Sequence, residues 1–406
     1  MSQSPSTSRA PARPVSDRAV SDRAVSDRIG IIGYGSSAYE KSPSRSEAGY
    51  MAEAARAALA SAGLERSAVD GISVSSTTLP PDNAVTLAET FGLSVSWASI
   101  GNAGGAGAVV NVFDAVHAIE AGRASHVLCL AGAAQDGAFF RGRIGRFNGS
   151  IGDYLAPHGF GGMNGLFGII QRKHMQTYGT KREQLGRIAV DQRANARRNE
   201  AALLRKEMTL EDYLTAPLIA DPIRLFDCVM PCSGAEAILV GPLEEAPSGK
   251  AVAVRAAAER HNHPLGEVSP LRGGWEVFRD DLYETAGFGP GDLDFVQAYD
   301  DYPIMVAIQL EDLGFCAKGE IGPFLAERRM TFDGDLPLNT GGGQLSCGQT
   351  GGGGGMIGLT EAVRQLRGEG GARQVAGARR GLVSGYGMVA YGHGLSASAM
   401  ILERAQ

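Results

Sequence analysis

Histidine and cysteine, which most often carry metal and nucleophilic chemistry, are scarce in this chain, at seven and five among 406 residues. Cys228 and Cys232 stand four apart, but no second Cys or His pair at matching spacing completes a tetrahedral zinc site, so no metal is expected. His261 and His263, in the turn-like HNHP stretch, read as a solvated loop rather than a ligand pair. No apolar run reaches the ~18 residues of a membrane span. Positive charge is not in excess either: 38 Lys and Arg against 44 Asp and Glu, interleaved, leave a net charge of −6 and no nucleic-acid footprint. The first 28 residues carry three aspartates and lack the apolar segment of a targeting peptide. With cysteines at 129, 228, 232, 316 and 347 that form no evident disulfide framework, a reducing cytoplasm is the expected location.

What the chain has in abundance is glycine, 57 in all, and the densest run is the most informative. From Asn339 the segment NTGGGQLSCGQTGGGGGMIGLTEAVRQLRG leads a polar glycine loop into an amphipathic helix whose apolar side carries Ile357, Leu359, Val363 and Leu366. Unpaired N–H groups and the positive dipole end of that helix face the loop. Two readings follow: a site for an oxyanion or thioester carbonyl, or a helix crossing packed through glycine.

Residues 1–28 repeat SDRAV with almost no bulky apolar residue, which predicts a disordered tail. Order begins at Ile29 with a buried-strand pattern, IGIIGYGSS; its glycines lack full GxGxxG spacing and no helix opens at once, which argues against a dinucleotide site. A helix is expected from about Glu47 to Ala62, then Asp70 and the strand ISVSS. The stretch AGLERSAVDGISVSS (62–76) is paralleled without a gap by AGFGPGDLDFVQAYD (286–300), each reading helix end, glycine cap, loop, Asp and strand. That offset of 224 residues predicts a duplicated α/β core with halves at 29–245 and 250–406, each with a mostly parallel sheet. An insertion, about 135–220, breaks the pattern: loop-like and glycine-rich at first, then helical and basic over 164–200. Arg193, Arg197 and Arg198 there read as a solvated helix face in preference to a phosphate site.

The loop at Asn339 resembles the C-terminal signature of the thiolase superfamily, with Gly348, Gln349 and Thr350 in place of its GHP-like tripeptide. The stretches YGTKREQLGRIAVDQRANARRNEAA (178–202), LTAPLIADPIRLFDCVMPCSGAEAILV (214–240) and VQAYDDYP (296–303) are similar to the branch containing sterol carrier protein x and lipid-transfer proteins. The resemblance implies a thiolase-like fold, α/β and five-layered, built of two duplicated βαβαβ-type halves, with the insertion as a loop domain over an acyl-CoA pocket.

It also implies site residues. Thiolases place a nucleophilic cysteine at the start of the first-half helix; alignment back from Ile119 and Gly122 puts Gly105 there, so the usual nucleophile is missing. Their second cysteine corresponds to Ser384 within about one residue, next to Gly385. The family's HDCF histidine corresponds to Tyr299, beside Asp300 and Asp301, and the GHP histidine to Gln349. A phenol can donate to an oxyanion, or take part in proton transfer if its pKa is lowered from ~10; an amide can bind a carbonyl oxygen but is no base. Tyr299, Asp300 and Gln349 are thus the catalytic candidates, and Gly105, Asn339, Gly343, Cys347, Gly348, Ser384 and Gly385 the substrate-binding ones. Cys347 itself reads as a packed small apolar residue; Tyr302, Tyr386 and Tyr391 are further candidates for the cavity wall.

The expected activity is carbon–carbon bond cleavage or formation on an acyl-CoA without a covalent cysteine intermediate, of the retro-aldol kind found in lipid-transfer-protein-like relatives. The alternatives are an acyltransferase whose nucleophile comes from elsewhere, and a non-catalytic acyl-CoA or lipid-binding subunit. Coenzyme A enters as the substrate's thioester, with no bound cofactor expected. By resemblance the chain forms a homodimer and pairs with a small OB-fold and zinc-ribbon protein; those relatives carry a second tyrosine where this chain has Gln349.

Overall fold

The computed structural model describes residues 25–76, 83–144, 148–160 and 162–405. The first half runs β1 (Ile29–Ser36), α1 (Glu47–Ala62), β2 (Gly71–Ser75), α2 (Asn83–Phe91), β3 (Trp97–Ile100), α3 (Gly107–Glu120) and β4 (Val127–Ala133). The insertion follows, with α4 (Gly137–Ile144), α5 (Met163–Tyr178), α6 (Arg182–Ala196), α7 (Leu210–Thr215) and a small hairpin of β5 (Leu218–Ala220) and β6 (Ile223–Arg224); β7 (Gly234–Pro242) then completes the half. The second half comprises β8 (Val252–His261), α8 (Trp275–Ala286), β9 (Phe295–Gln297), α9 (Pro303–Asp312), α10 (Ile321–Glu327), α11 (Gly343–Cys347), α12 (Gly354–Leu366), β10 (Arg380–Ala390) and β11 (His393–Arg404).

The expected internal repeat occupies equivalent units. Ser46 caps α1 by accepting the Gly49 N–H at 3.2 Å, and the helix ends on left-handed Gly63, φ 69°. A 3-10 turn (Arg66–Ala68) then leads into β2. In the second half α8 ends on Gly287, φ 80°, and a 3-10 turn (Pro290–Asp292) leads into β9. Even the outer pairing is repeated: Ile72 lies against Ala98 in parallel register, and Val296 against Leu338.

The strands form one hydrogen-bonded sheet in the order β3-β2-β4-β7-β1-β8-β11-β10-β9, the halves joining where β1 meets β8. Three apolar clusters set the layering. On one outer face α1 and α2 pack Met51, Ala58 and Leu87 on Ile72 and Leu239. Between the halves α3 and α12 bring Val112, Val116, Leu359 and Val363 against Val127 and Val240 on one side and Val254 and Met400 on the other. On the far face α8 and α9 set Trp275, Leu282 and Ile308 against Ala256 and Ile401. The result is the expected five layers.

The mostly parallel sheets are corrected. Among the strands of the described residues, β2–β3, β2–β4 and β9–β10 pair parallel, whereas β4–β7, β1–β7, β1–β8, β8–β11 and β10–β11 are antiparallel. One cause is local: β10 and β11 are joined by two residues, Tyr391 and Gly392, at φ 52° and 68°, a tight turn that returns the chain alongside itself. The start of the insertion is more helical than its glycines suggested, because Asp136 Oδ1 accepts the N–H groups of Ala138 and Phe139 and caps α4. Of the expected disordered tail, residues 1–24 lie outside the described residues, and Val25 packs against the central cluster. Arg193 is not on a solvated face: it is buried, with Nε donating to Ser346 Oγ at 2.9 Å, while Arg197 pairs with Glu207.

Candidate active site

Beyond Gln297 the chain leaves β10 and bends at Asp301 and Tyr302 before Pro303 opens α9, where its fixed φ suits the first helical position. Along this segment the side chains of Tyr299 and Asp301 share one space, and that of Asp300 points elsewhere. Tyr299 and Asp301 open on a cleft that Gly105, Gln349, Tyr386 and Met388 also line. Asp300 turns back into the protein, its carboxylate accepting the N–H groups of Gln344 and Leu345 at 2.9 and 3.1 Å. It anchors the loop before α12 rather than facing substrate.

Gly105 sits in the 3-10 turn that leads into α3. A β-carbon there would lie 2.0 Å from Cε2 of Tyr299, 2.3 Å from its Cζ and 2.4 Å from the Tyr386 carbonyl oxygen. The space a residue-105 side chain would fill is therefore taken by the phenol ring. The first turn of α12 crosses at similar range, since a β-carbon on Gly355 would be 2.2 Å from the Gly105 carbonyl oxygen. Gly355 serves the helix crossing, while Gly351 and Gly352 line the cleft.

Gln349 reaches the cleft from a pinned backbone. Its N–H donates to Met230 at 2.8 Å, and its carbonyl accepts from Cys232 N–H at 2.9 Å and Gln135 Nε2 at 3.2 Å. Its side-chain Oε1 is buried and finds no partner among the described residues; the same is true of Asp301 Oδ1. Unpaired buried acceptors in a cleft are unusual enough to need an explanation.

Burial sets the electrostatics. It raises the Tyr299 pKa well above the usual phenol value, and the charge of Asp301 adds to this, while the adjoining amides of Gln349 and Gln344 pull the other way. The lowered phenol pKa entertained from sequence is thereby corrected: Tyr299 keeps its proton. Burial and the neighbouring Asp300 charge lift Asp301 well above the carboxylate range. Asp300 is itself pushed up to about 7 by burial, against the pull of the backbone amides of Gln344 and Leu345.

Of the residues marked from sequence, Gly105, Tyr299 and Gln349 meet in the cleft. Asp300, Asn339, Gly343 and Ser384 surround a smaller cavity on the other side of Tyr299. Ser384 does not reach the cleft: its hydroxyl donates to Gln309 Oε1 at 2.7 Å, and the wall is made by the next part of β10, Tyr386 to Val389. Cys347, Gly348 and Gly385 line neither space. The Cys347 thiol donates to the Gly341 carbonyl at 3.1 Å, and burial pushes its pKa up to about 12, which suits a packed residue. Gly348, φ 111°, lies against Cys232, and Gly385 against the backbone of Gly105 and Ala106. Tyr302 donates to Asn164 Oδ1 at 2.5 Å, and Tyr391 sits in the β-turn. Asp301 and Met388 were missed as site residues; the carboxylate doublet of YDDYP was the available signal for the first.

The C-terminal stretch, residues 275–404, matches the family model "Thiolase C-terminal domain-like". The 17-hydroxy-3-oxo-4-pregnene-20-carboxyl-CoA lyase of Mycobacterium tuberculosis is 31% identical over 392 residues, 92% of this chain and 98% of that protein. This chain belongs to the thiolase superfamily. Within it, the chain is also 32% identical over 355 residues to a steroid side-chain-cleaving aldolase of Thermomonospora curvata, covering 83% of this chain and 90% of that one. Among solved structures, the one described as "Ltp2-ChsH2(DUF35) aldolase" superposes with a TM-score of 0.81 at 29% identity, over 94% of this chain and 98% of that chain. The similarity thus places this thiolase-superfamily enzyme in the sterol-carrier and lipid-transfer branch that the sequence motifs pointed to.

Proposed function

We propose that this enzyme cleaves a carbon–carbon bond by retro-aldol chemistry on a β-hydroxyacyl-CoA thioester, with no covalent acyl-enzyme. The observation that carries the reading is the Tyr299 ring standing where a side chain at residue 105 would project, so that the cleft presents a phenol and a carboxyl group instead of a thiol. None of the described lining residues is a cysteine.

The chemistry needs a base for the substrate hydroxyl and a donor for the thioester enolate. Asp301, in its ionised form and with one oxygen unpaired, takes the hydroxyl proton. The Cα–Cβ pair stays with Cα as the enolate while Cβ becomes a carbonyl. Tyr299, protonated throughout the neutral range, hydrogen-bonds the enolate and delivers a proton to Cα, then recovers one from Asp301, so no atom is gained or lost overall. Gln349 and the glycines before α12 face the thioester oxygen. The apolar wall of Met163, Met388 and Val389 suits an acyl group with a large hydrocarbon body, in line with the steroid substrates in the relatives' names. A DUF35-type partner, as in the aldolase structure's description, and a homodimer, from the family resemblance, belong to the same reading.

The test is turnover of β-hydroxyacyl-CoA by the purified chain, alone and with such a partner, before and after iodoacetamide. Release of a carbonyl compound and a shortened acyl-CoA, unaffected by alkylation, is expected. An acyl group trapped on any cysteine, or transfer of an acyl group to a second CoA thioester, would overturn it.

A further inference from the structure

The β9–β10 ladder stops at Gln297 and Val383, and two residues later Tyr299 has no strand beside it. Its backbone is nevertheless fully bonded, through one side chain. Gln309, on the wholly buried helix α9, donates from Nε2 to the Tyr299 carbonyl at 2.7 Å and accepts the Tyr299 N–H on Oε1 at 3.2 Å. Nε2 also donates to the Met305 carbonyl at 2.9 Å, and Oε1 accepts the Ser384 hydroxyl at 2.7 Å. All four hydrogen-bonding positions of the amide are filled, two as donor and two as acceptor, and its orientation is fixed because reversing it would set donor against donor. Gln309 replaces the missing strand and ties Tyr299 to both α9 and β10.

We propose that Gln309 is the positioning residue of the site, clamping the Tyr299 backbone so that the phenol stays over Gly105 while the β9–β10 gap remains open. The proposal rests on Tyr299 acting in the reaction. It also gives Ser384 a part: by donating to Oε1 it holds the amide in register. Small misplacements of a reacting group are costly, on the order of 10²-fold in rate for about 1 Å. Substrate binding, which falls to the other walls of the cleft, should change little.

A double-mutant cycle on the full chain separates this from a role in stability alone. Gln309→Leu keeps the volume and removes the clamp; kcat is expected to fall about tenfold or more with KM within about threefold. In a Tyr299→Phe background the same substitution should cost less than about threefold, because there is no hydroxyl left to position. Equal losses in both backgrounds, or a change confined to KM, would overturn the clamp while leaving Tyr299 its role. A Tyr299→Phe enzyme with undiminished turnover would instead remove the reading beneath it, and the clamp with it. If Gln309→Leu does not fold, Gln309→Glu, which keeps the acceptors and loses the donors, and Ser384→Ala enter the same cycle with the same criteria.

Discussion

At the scale of single residues, the argument turns on Gly105. Alanine there would set a methyl carbon 2.0 Å from the Tyr299 ring, a distance that forces the ring or the turn to move. Overpacking of this kind costs about 1–3 kcal/mol. Gly105→Ala is therefore expected to lower the melting temperature and to reduce turnover by at least an order of magnitude, since it displaces the acid; activity equal to the native enzyme would show that the phenol need not sit there. Asp301 supplies a pH signature. Its folded pKa is raised, so the fold favours the protonated acid: the contribution is full below the ordinary carboxylate range and is lost as pH rises toward the folded value. Asp301→Asn removes that loss. Melting temperatures of variant and native protein should diverge as pH rises above the ordinary carboxylate range, the variant gaining, while its turnover falls by about 10²-fold or more. The sequence exposed Tyr299 and Gln349 because they stand at motif positions. Asp301 was hidden in a doublet where only the backbone direction tells which carboxylate faces outward, and Gln309 in a run of apolar helix residues that reads as core.

Elements were more legible than side chains. The end of α1 was legible in its terminal glycine, and the 224-residue repeat held because a glycine-capped helix, a 3-10 turn and a strand are all short-range features. Strand direction was not legible, being decided by connections that pass through the insertion and by the two-residue β10–β11 turn. Nor was the device that seats α12. Glu361, buried in that helix, accepts from Arg364 at 2.7 Å and from Arg373 at 2.9 and 3.0 Å, and Thr340 donates to it at 3.0 Å. Burial alone would raise its pKa, yet the two arginines hold it down at about 2. A depressed carboxylate stabilises the fold above its unfolded pKa, and that contribution fades as pH falls toward 2. Glu361→Gln leaves buried guanidinium groups unpaired, so a loss of about 3–5 kcal/mol is expected at pH 7. Denaturant titrations should show the gap from native narrowing as pH is lowered from 5 to 3; a gap independent of pH would deny the carboxylate its role.

At the scale of the whole molecule, the two halves share their outer pairing but not its length: the strand β3 lies against β2, and a single bridge at Leu338 lies against β9. In the second half the β9 edge is met by Leu338, but β3 ends the nine-strand order with Ile100 exposed, and Val85 on neighbouring α2 is exposed as well. Among the described residues no further strand lies beside β3, and an edge with apolar side chains invites pairing, so the proposed homodimer is expected to form there. Light scattering on the purified chain at micromolar concentration is accordingly expected to give twice the chain mass. Ile100→Glu, which sets like charges facing each other across a two-fold contact without touching the core, should shift that mass toward a single chain and leave the melting transition of the isolated subunit cooperative. A native protein that is monomeric under these conditions, or an Ile100→Glu variant that remains dimeric, would place the subunit contact away from β3.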